Sequence, residues 1–225
     1  MGVWITRIDH FPPDYAIMLG RGRYPVVYVP CLYGLVMEPH TEGLREYVQQ
    51  LQHRGFDVVG SQWGEALSAT QAEAEADRAV AAVSGFGFDG WVMNGEKKYE
   101  GGGRSGAYAR RFRRALPRQP FGWSPEPRLA LDHEVLQELG VCYMPQAYPL
   151  ENGRDVAYCI EWGVKFGYQP KNIVPLVGAY PVNGERYPAS RYREQALAGG
   201  VPGLILYTGN QSADVSDYWR ELVVR

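Results

Sequence analysis

The feature that most constrains this chain is a rhythm. Eight short apolar runs recur along its 225 residues, and a stretch with helical spacing follows nearly every one. The runs are GVWITRI (2–8), PVVYVPCL (25–32), FDVVGSQ (56–62), FDGWVMN (88–94), QPFGWS (119–124), VCYMPQAY (141–148), NIVPLVGAY (172–180) and GLILYTG (203–209). Runs this short, bounded by turn residues, read as strands. Between them, TEGLREYVQQLQHRG starts on a capping Thr41, sets Leu44, Val48 and Leu51 on one face and stops at Gly55. SATQAEAEADRAVAAVSGFG favours helix throughout, and SGAYARRFRRALP places Tyr108, Phe112 and Ala115 as a buried face before Pro117. DHEVLQELG, GRDVAYCIEWGVKFG, ASRYREQALAGG and SADVSDYWREL complete the set. Only the first connection, DHFPPDYAIMLGRGRY, reads poorly as helix.

Strands alternating with helices build parallel βαβ units, and eight such units predict closure into a single compact (β/α)₈ TIM barrel of the α/β class. Each unit averages under thirty residues, which leaves no room for a second domain, so residues 1–225 read as one barrel. An open, doubly wound sheet is the alternative. Its dinucleotide-binding form would carry G-x-G-x-x-G after the first strand, and no such turn is there.

Composition excludes several classes of function. The chain is 45% hydrophobic and 21% charged with a net charge of -2, a balance that argues against nucleic acid as a partner. No apolar run approaches the roughly 20 residues that span a bilayer, so no membrane is expected. The N-terminus MGVWITRIDHF lacks the basic-then-apolar layout of a secretory signal. Cys31, Cys142 and Cys159 follow no metal-ligand spacing, nor do the four histidines, and no cofactor is implied. The EGGGRSG loop (100–106) lacks the Lys-Ser/Thr ending of a nucleotide-binding loop. Arg110, Arg111, Arg113 and Arg114 read as a solvated helix face.

In a parallel barrel, chemistry gathers where strands end and the following loops begin. Those ends carry Asp9 and His10; Tyr33; Gln62, Trp63 and Glu65; Asn94 and Glu96; Ser124 and Glu126; Gln146 and Tyr148; Tyr180; Tyr207 and Asn210. Carboxylates, amides and aromatic rings with almost no histidine suit sugar chemistry, where carboxylates move protons and amides and tyrosines bind hydroxyls. From this set Trp63, Gln146, Tyr148, Tyr180, Tyr207, Asp9 and Glu126 are the candidate glycan-binding residues. The fourth run ends most tellingly, in FDGWVMNGE (88–96). Alternation along a strand puts Gly90, Val92, Asn94 and Glu96 on one face. If that face is the interior, Glu96 is partly desolvated at the mouth and its pKa rises, the condition a general acid requires. The bland alternative is a solvated loop start, since GEKKYEGGG follows.

FDGWVMNGE resembles the fourth-strand motif of glycoside hydrolase family 85, the endo-β-N-acetylglucosaminidases, which runs Phe-Asp-Gly-Trp-Leu-Ile-Asn-Ile-Glu. Phe88, Asp89, Gly90, Trp91, Asn94 and Glu96 match it, Val92 and Met93 are conservative, and Gly95 departs. More distantly it resembles the family 18 chitinase motif Asp-Gly-x-Asp-x-Asp-x-Glu, with Val92 and Asn94 in place of two aspartates. The resemblance implies a (β/α)₈ barrel acting on N-acetylglucosamine-containing glycans by substrate-assisted hydrolysis. It implies Glu96 as the catalytic acid/base and Asn94 as the residue that orients the 2-acetamido group. A conventional two-carboxylate enzyme would instead need Glu126, Asp9 or Glu65 across the cleft. A further resemblance, to compact phage-encoded barrels, implies a different class: a non-catalytic structural or glycan-binding module with protein partners in a larger assembly such as a virion.

Overall fold

The computed structural model describes residues 2–6, 8, 26–38 and 42–207. Its strands are β1 (Gly2–Trp4), β2 (Val26–Tyr33), β3 (Val36–Met37), β4 (Asp57–Trp63), β5 (Gly90–Asn94), β6 (Phe121–Trp123), β7 (Cys142–Tyr143), β8 (Gln146–Ala147), β9 (Leu176–Gly178) and β10 (Ile205–Tyr207). All eight apolar runs supply strands to one sheet, ordered β7-β6-β5-β4-β2-β1-β10-β9-β8, and every pairing along that path is parallel. The two ends of the path are the halves of one run, 141–148. Met144 N donates to Trp123 O on one side, while Val174 N and Leu176 N donate to Tyr143 O and Pro145 O on the other. The sheet therefore closes into an eight-run ring, as the alternation predicts, and the open-sheet alternative falls.

The antiparallel β3 was not legible in the rhythm: a two-residue turn at Gly34-Leu35 folds Val36–Met37 back on the end of β2. Gly34 takes φ 55, a conformation that suits glycine.

Outside the ring lie helices α1 (Leu44–His53), α2 (Ala69–Phe86), α3 (Arg104–Ala115), α4 (His133–Glu138), α5 (Pro149–Asn152), α6 (Val156–Lys165) and α7 (Ala189–Ala198). In α1, Leu44, Val48 and Leu51 are buried together with Tyr47, and Gly43 holds the cap position; Thr41 lies outside the described residues. The segments 9–25 and 208–225, with Asp9, His10, Asn210 and SADVSDYWREL, lie outside them too. In α3 the expected face needs one correction. Tyr108 and Phe112 are buried, but Ala115 is exposed at the helix end, and Ser105 and Ala109 complete the face instead. The arginines of α3 are not simply a solvated face either. Arg111 pairs with Asp77 of α2, and Arg113 donates to the carbonyls of Leu139, Gln119 and Gly140. Among the described residues no helix is long and apolar enough to cross a membrane.

Alternation sorts each strand into two cores. Val3, Val27, Val29, Val58, Trp91, Met93, Phe121, Trp123, Tyr143 and Val177 point outward and pack under the helices. Trp4, Val59, Val92, Met144, Leu176 and Ile205 fill the ring. That interior is narrow, so large side chains meet glycines: a β-carbon on Gly2 would lie 2.5 Å from the Tyr28 ring, and one on Gly122 would overlap Met144.

Candidate active site

Above the apolar plug, at the C-terminal ends of the strands, the inward residues enclose a cavity of about 460 Å³, a size suited to a small ligand. Trp4, Trp63, Asn94, Glu96, Gln146, Tyr148, Tyr180 and Tyr207 all line it.

β5 delivers two of these. Because Trp91 and Met93 bury under the helices and Val92 plugs the ring, Asn94 and Glu96 emerge on the cavity face. From two runs along the ring, beyond β6, Gln146 Nε2 donates to Asn94 Oδ1 at 3.0 Å and to Glu96 Oε1 at 3.1 Å, with Ser124 O at 3.4 Å. One carboxamide thus fixes both side chains. Asn94 Oδ1 is the bonded atom, and Nδ2 makes no protein hydrogen bond among the described residues, which leaves a donor unused on a residue that lines the cavity. Burial raises the pKa of Glu96 above the ordinary carboxylate range; the Gln146 donor opposes this and the nearby charge of Glu126 adds to it.

The backbone around the acid is held from the outer core. Trp123 Nε1 donates to Gly95 O at 3.1 Å, and Tyr99 N donates to Glu96 O at 2.8 Å. Gly95 is buried against the same indole: a β-carbon there would lie 2.7 Å from Cε2 and Nε1 of Trp123. The glycine that departs from the family 85 pattern therefore marks a place where Trp123 takes the volume of a side chain.

The remaining candidates divide. Tyr148, Tyr180 and Tyr207 form a cluster with ring centroids 5.8 to 6.3 Å apart. Burial raises all three phenols, which keeps them neutral hydrogen-bonding groups at ordinary pH. Tyr180 donates to Glu151 Oε1 at 2.5 Å. On the opposite rim Trp63 (36% exposed) stacks on Tyr33 (50% exposed), with planes 3° apart, and donates through Nε1 to Glu65. Lys98 binds the same carboxylate and holds it below the usual range. Glu126 is off the cavity wall, paired with Arg154 at 2.5 Å. Asp9 lies outside the described residues.

Sequence reasoning missed two carboxylates that line the cavity, Glu38 and Glu151. Glu151 follows Tyr148 by three residues on the short α5, and the Tyr-Pro pair that starts this turn was the available signal. Glu38 reaches the cavity because of the β2–β3 turn, for which only Gly34 spoke. Among the described residues no three His, Cys, Asp or Glu side chains are placed to share a metal ion.

No family model matches this chain, and no curated protein matches it. Solved structures do share its fold. A glycoside hydrolase family 18 chitinase from Pseudoalteromonas aurantia superposes with a TM-score of 0.72 at 14% identity, over 99% of this chain and 98% of that one. The endo-β-N-acetylglucosaminidase from Cordyceps militaris, in apo form, gives 0.66 at 14% identity over 99% and 89%. Its complex with fucosyl-N-acetylglucosamine-Asn, at 0.65 and 13% over 99% and 90%, is of a variant with an aspartate changed to asparagine and a glutamate two residues on changed to glutamine. A xylanase and α-amylase inhibitor protein from Scadoxus multiflorus gives 0.70 at 13% over 98% and 96%. At such identities the likeness is one of fold: this chain has the barrel seen in a family 18 chitinase and in an endo-β-N-acetylglucosaminidase.

Proposed function

We propose that the cavity is the active site of a glycosidase acting on N-acetylglucosamine-containing glycans by substrate-assisted hydrolysis. Glu96, protonated, gives its proton to the glycosidic oxygen as the bond from that oxygen to the anomeric carbon breaks. The carbonyl oxygen of the sugar's own 2-acetamido group attacks the anomeric carbon from the other side, closing a five-membered ring. Glu96, now a carboxylate, takes a proton from the water that opens this ring and is reset as the acid. Asn94 holds the acetamido group in line, because so weak a nucleophile reacts only when fixed. Trp63, Gln146, Tyr148, Tyr180 and Tyr207 bind the glycan around it.

The observation that carries this reading is the single Gln146 amide bonded to both Asn94 and Glu96 on one cavity wall. Neither Glu126 nor Glu65, the acids that a two-carboxylate mechanism would set across the cleft, lines the cavity; of the two other carboxylates that do, Glu38 and Glu151, the second accepts from Tyr180. The two-residue spacing of Asn94 and Glu96 is also that of the pair altered in the fungal enzyme's glycan complex. Chitin oligomers, high-mannose glycopeptides and peptidoglycan are the substrates to assay. Hydrolysis of one should fall by about 10²- to 10⁴-fold in Glu96→Gln, the worth of a general acid. An active enzyme indifferent to that change ends the assignment. Asn94→Ala should harm substrates with a 2-acetamido group far more than those with a bare hydroxyl.

A second reading, a non-catalytic binding or structural module, is favoured by the inhibitor protein that shares the barrel at comparable similarity. Its occurrence in a phage particle would be one case of it. Silence of the intact chain on every glycan would choose it.

A further inference from the structure

Helix α2 carries an anomaly on its buried stripe. Its six buried residues are Ala72, Glu75, Ala76, Ala79, Ala82 and Val83: five small apolar side chains and one carboxylate. Glu75 is only 3% exposed, and among the described residues no cation pairs with it. A buried carboxylate without a cation is costly, and an alanine would suffice if the position served packing alone. What surrounds it is backbone and phenol. Oε1 accepts the amide of Glu65 at 3.0 Å, and Oε2 accepts the hydroxyl of Tyr99 at 2.8 Å. The hairpin turn lies against it as well, since a β-carbon on Gly34 would come within 3.6 Å of Oε1.

Each of these partners leads to the cavity. The residue whose amide is held, Glu65, receives Trp63 Nε1 and so sets the exposed Tyr33–Trp63 stack. Tyr99 closes the 3₁₀ turn Lys97–Tyr99 that starts at Glu96: its amide bonds Glu96 O, and its ring packs edge-on at 5.2 Å against Trp123, which bonds Gly95 O. Gln62, next to Trp63, ties the same place from the strand side, donating to Gly34 O at 2.6 Å and to the main-chain oxygen of Glu75. We infer that Glu75 is a positioning residue: it anchors the aromatic rim and the acid-bearing turn to one point, and so fixes their separation. A carboxylate suits this because both oxygens only accept, so one group can bind donors from two loops at once. As a determinant of the glycan site the inference rests on the function proposed above, while the anchoring itself is independent of it.

Amide hydrogen exchange on the intact chain tests the anchor, alongside binding of chitin oligomers and thermal unfolding. Glu75→Met keeps the length of the side chain and removes both acceptor oxygens, so neither the Glu65 amide nor the Tyr99 hydroxyl keeps its partner. Exchange should rise by about tenfold or more in both 64–67 and 97–100, with the β4 and β5 strands unchanged, and oligomer affinity should fall in step. Tyr99→Phe, which removes one donor and keeps the ring, should release 97–100 alone and leave 64–67 protected. The inference is overturned if Glu75→Met loosens one loop or neither, if Tyr99→Phe loosens both, or if oligomer affinity holds while both loops loosen. Should the unaltered protein bind no oligomer, the glycan reading and this residue's role in it fall together, and the exchange data alone decide whether Glu75 couples the loops.

Discussion

The two faces of β5 are built from alternate residues of one stretch and meet different physics. Outward, Trp91, Met93 and Gly95 are buried in aromatic packing with Tyr108, Tyr99 and Trp123. Inward, Val92 is buried, but Asn94 and Glu96 give up hydration for one shared amide at the edge of a cavity. Substitution on the first face is expected to change whether the protein folds. Substitution on the second is expected to change what protons do, at little cost in stability. The general lesson is that this acid is held in place from behind, by carbonyls bonded to residues that never touch the cavity.

The strongest way to break the contrast is Trp123→Ala. It empties a fully buried indole site and frees Gly95 O, so unfolding should become easier by about 3–5 kcal/mol, read by chemical denaturation. Gly95→Ile restores the bulk of the family 85 pattern against the same indole and should cost about 1–3 kcal/mol. The two changes share one volume, so the double variant should be less destabilised than the sum. Additive costs would mean that the indole and Gly95 do not compete for space.

A smaller effect sharpens the inward side. Burial raises the folded-state pKa of Glu96, so the native protein binds this proton more tightly than the unfolded chain. The stability that follows is fully present below the ordinary carboxylate pKa and is lost as pH rises through the raised one. Glu96→Gln carries no such proton. Its melting temperature should gain on that of the unaltered protein as pH climbs from about 4 to 7; a constant offset would break the argument. The same titration sets the proposed activity, which should decline as pH passes the raised pKa. The smallest effect is from Glu126→Gln. It removes a negative neighbour and releases Arg154, and both changes should lower the pKa of Glu96. Carboxyl NMR reads the direction, and an unmoved or rising pKa would contradict it.

What the sequence made legible follows from periodicity. Two-residue alternation in 88–96 places Asn94 and Glu96 on one face, and the eight-run rhythm carries the ring, because both depend only on near neighbours. The site's missing members depend on chain path. Glu38 reaches the cavity through the β2–β3 turn, and Glu151 meets Tyr180 from a different loop. Glu75 was hidden differently. TQAEAEADRA reads as a solvated Ala-Glu helix, yet position 75 falls on the stripe of 72, 76, 79 and 83. An acid on an apolar stripe is a signal, and composition masked it.

The pairing of Gly2–Trp4 with Ile205–Tyr207 has a consequence for the order of assembly. These strands are some two hundred residues apart in the chain, and Trp4 and Tyr207, partners in register, are both walls of the cavity. Until Ile205–Tyr207 arrive, β1 and β9 are open edges that invite pairing with other chains. The last staple of the ring is also a wall of the pocket. A partly folded chain therefore has no site to offer, and ligand binding reports completed folding rather than local structure.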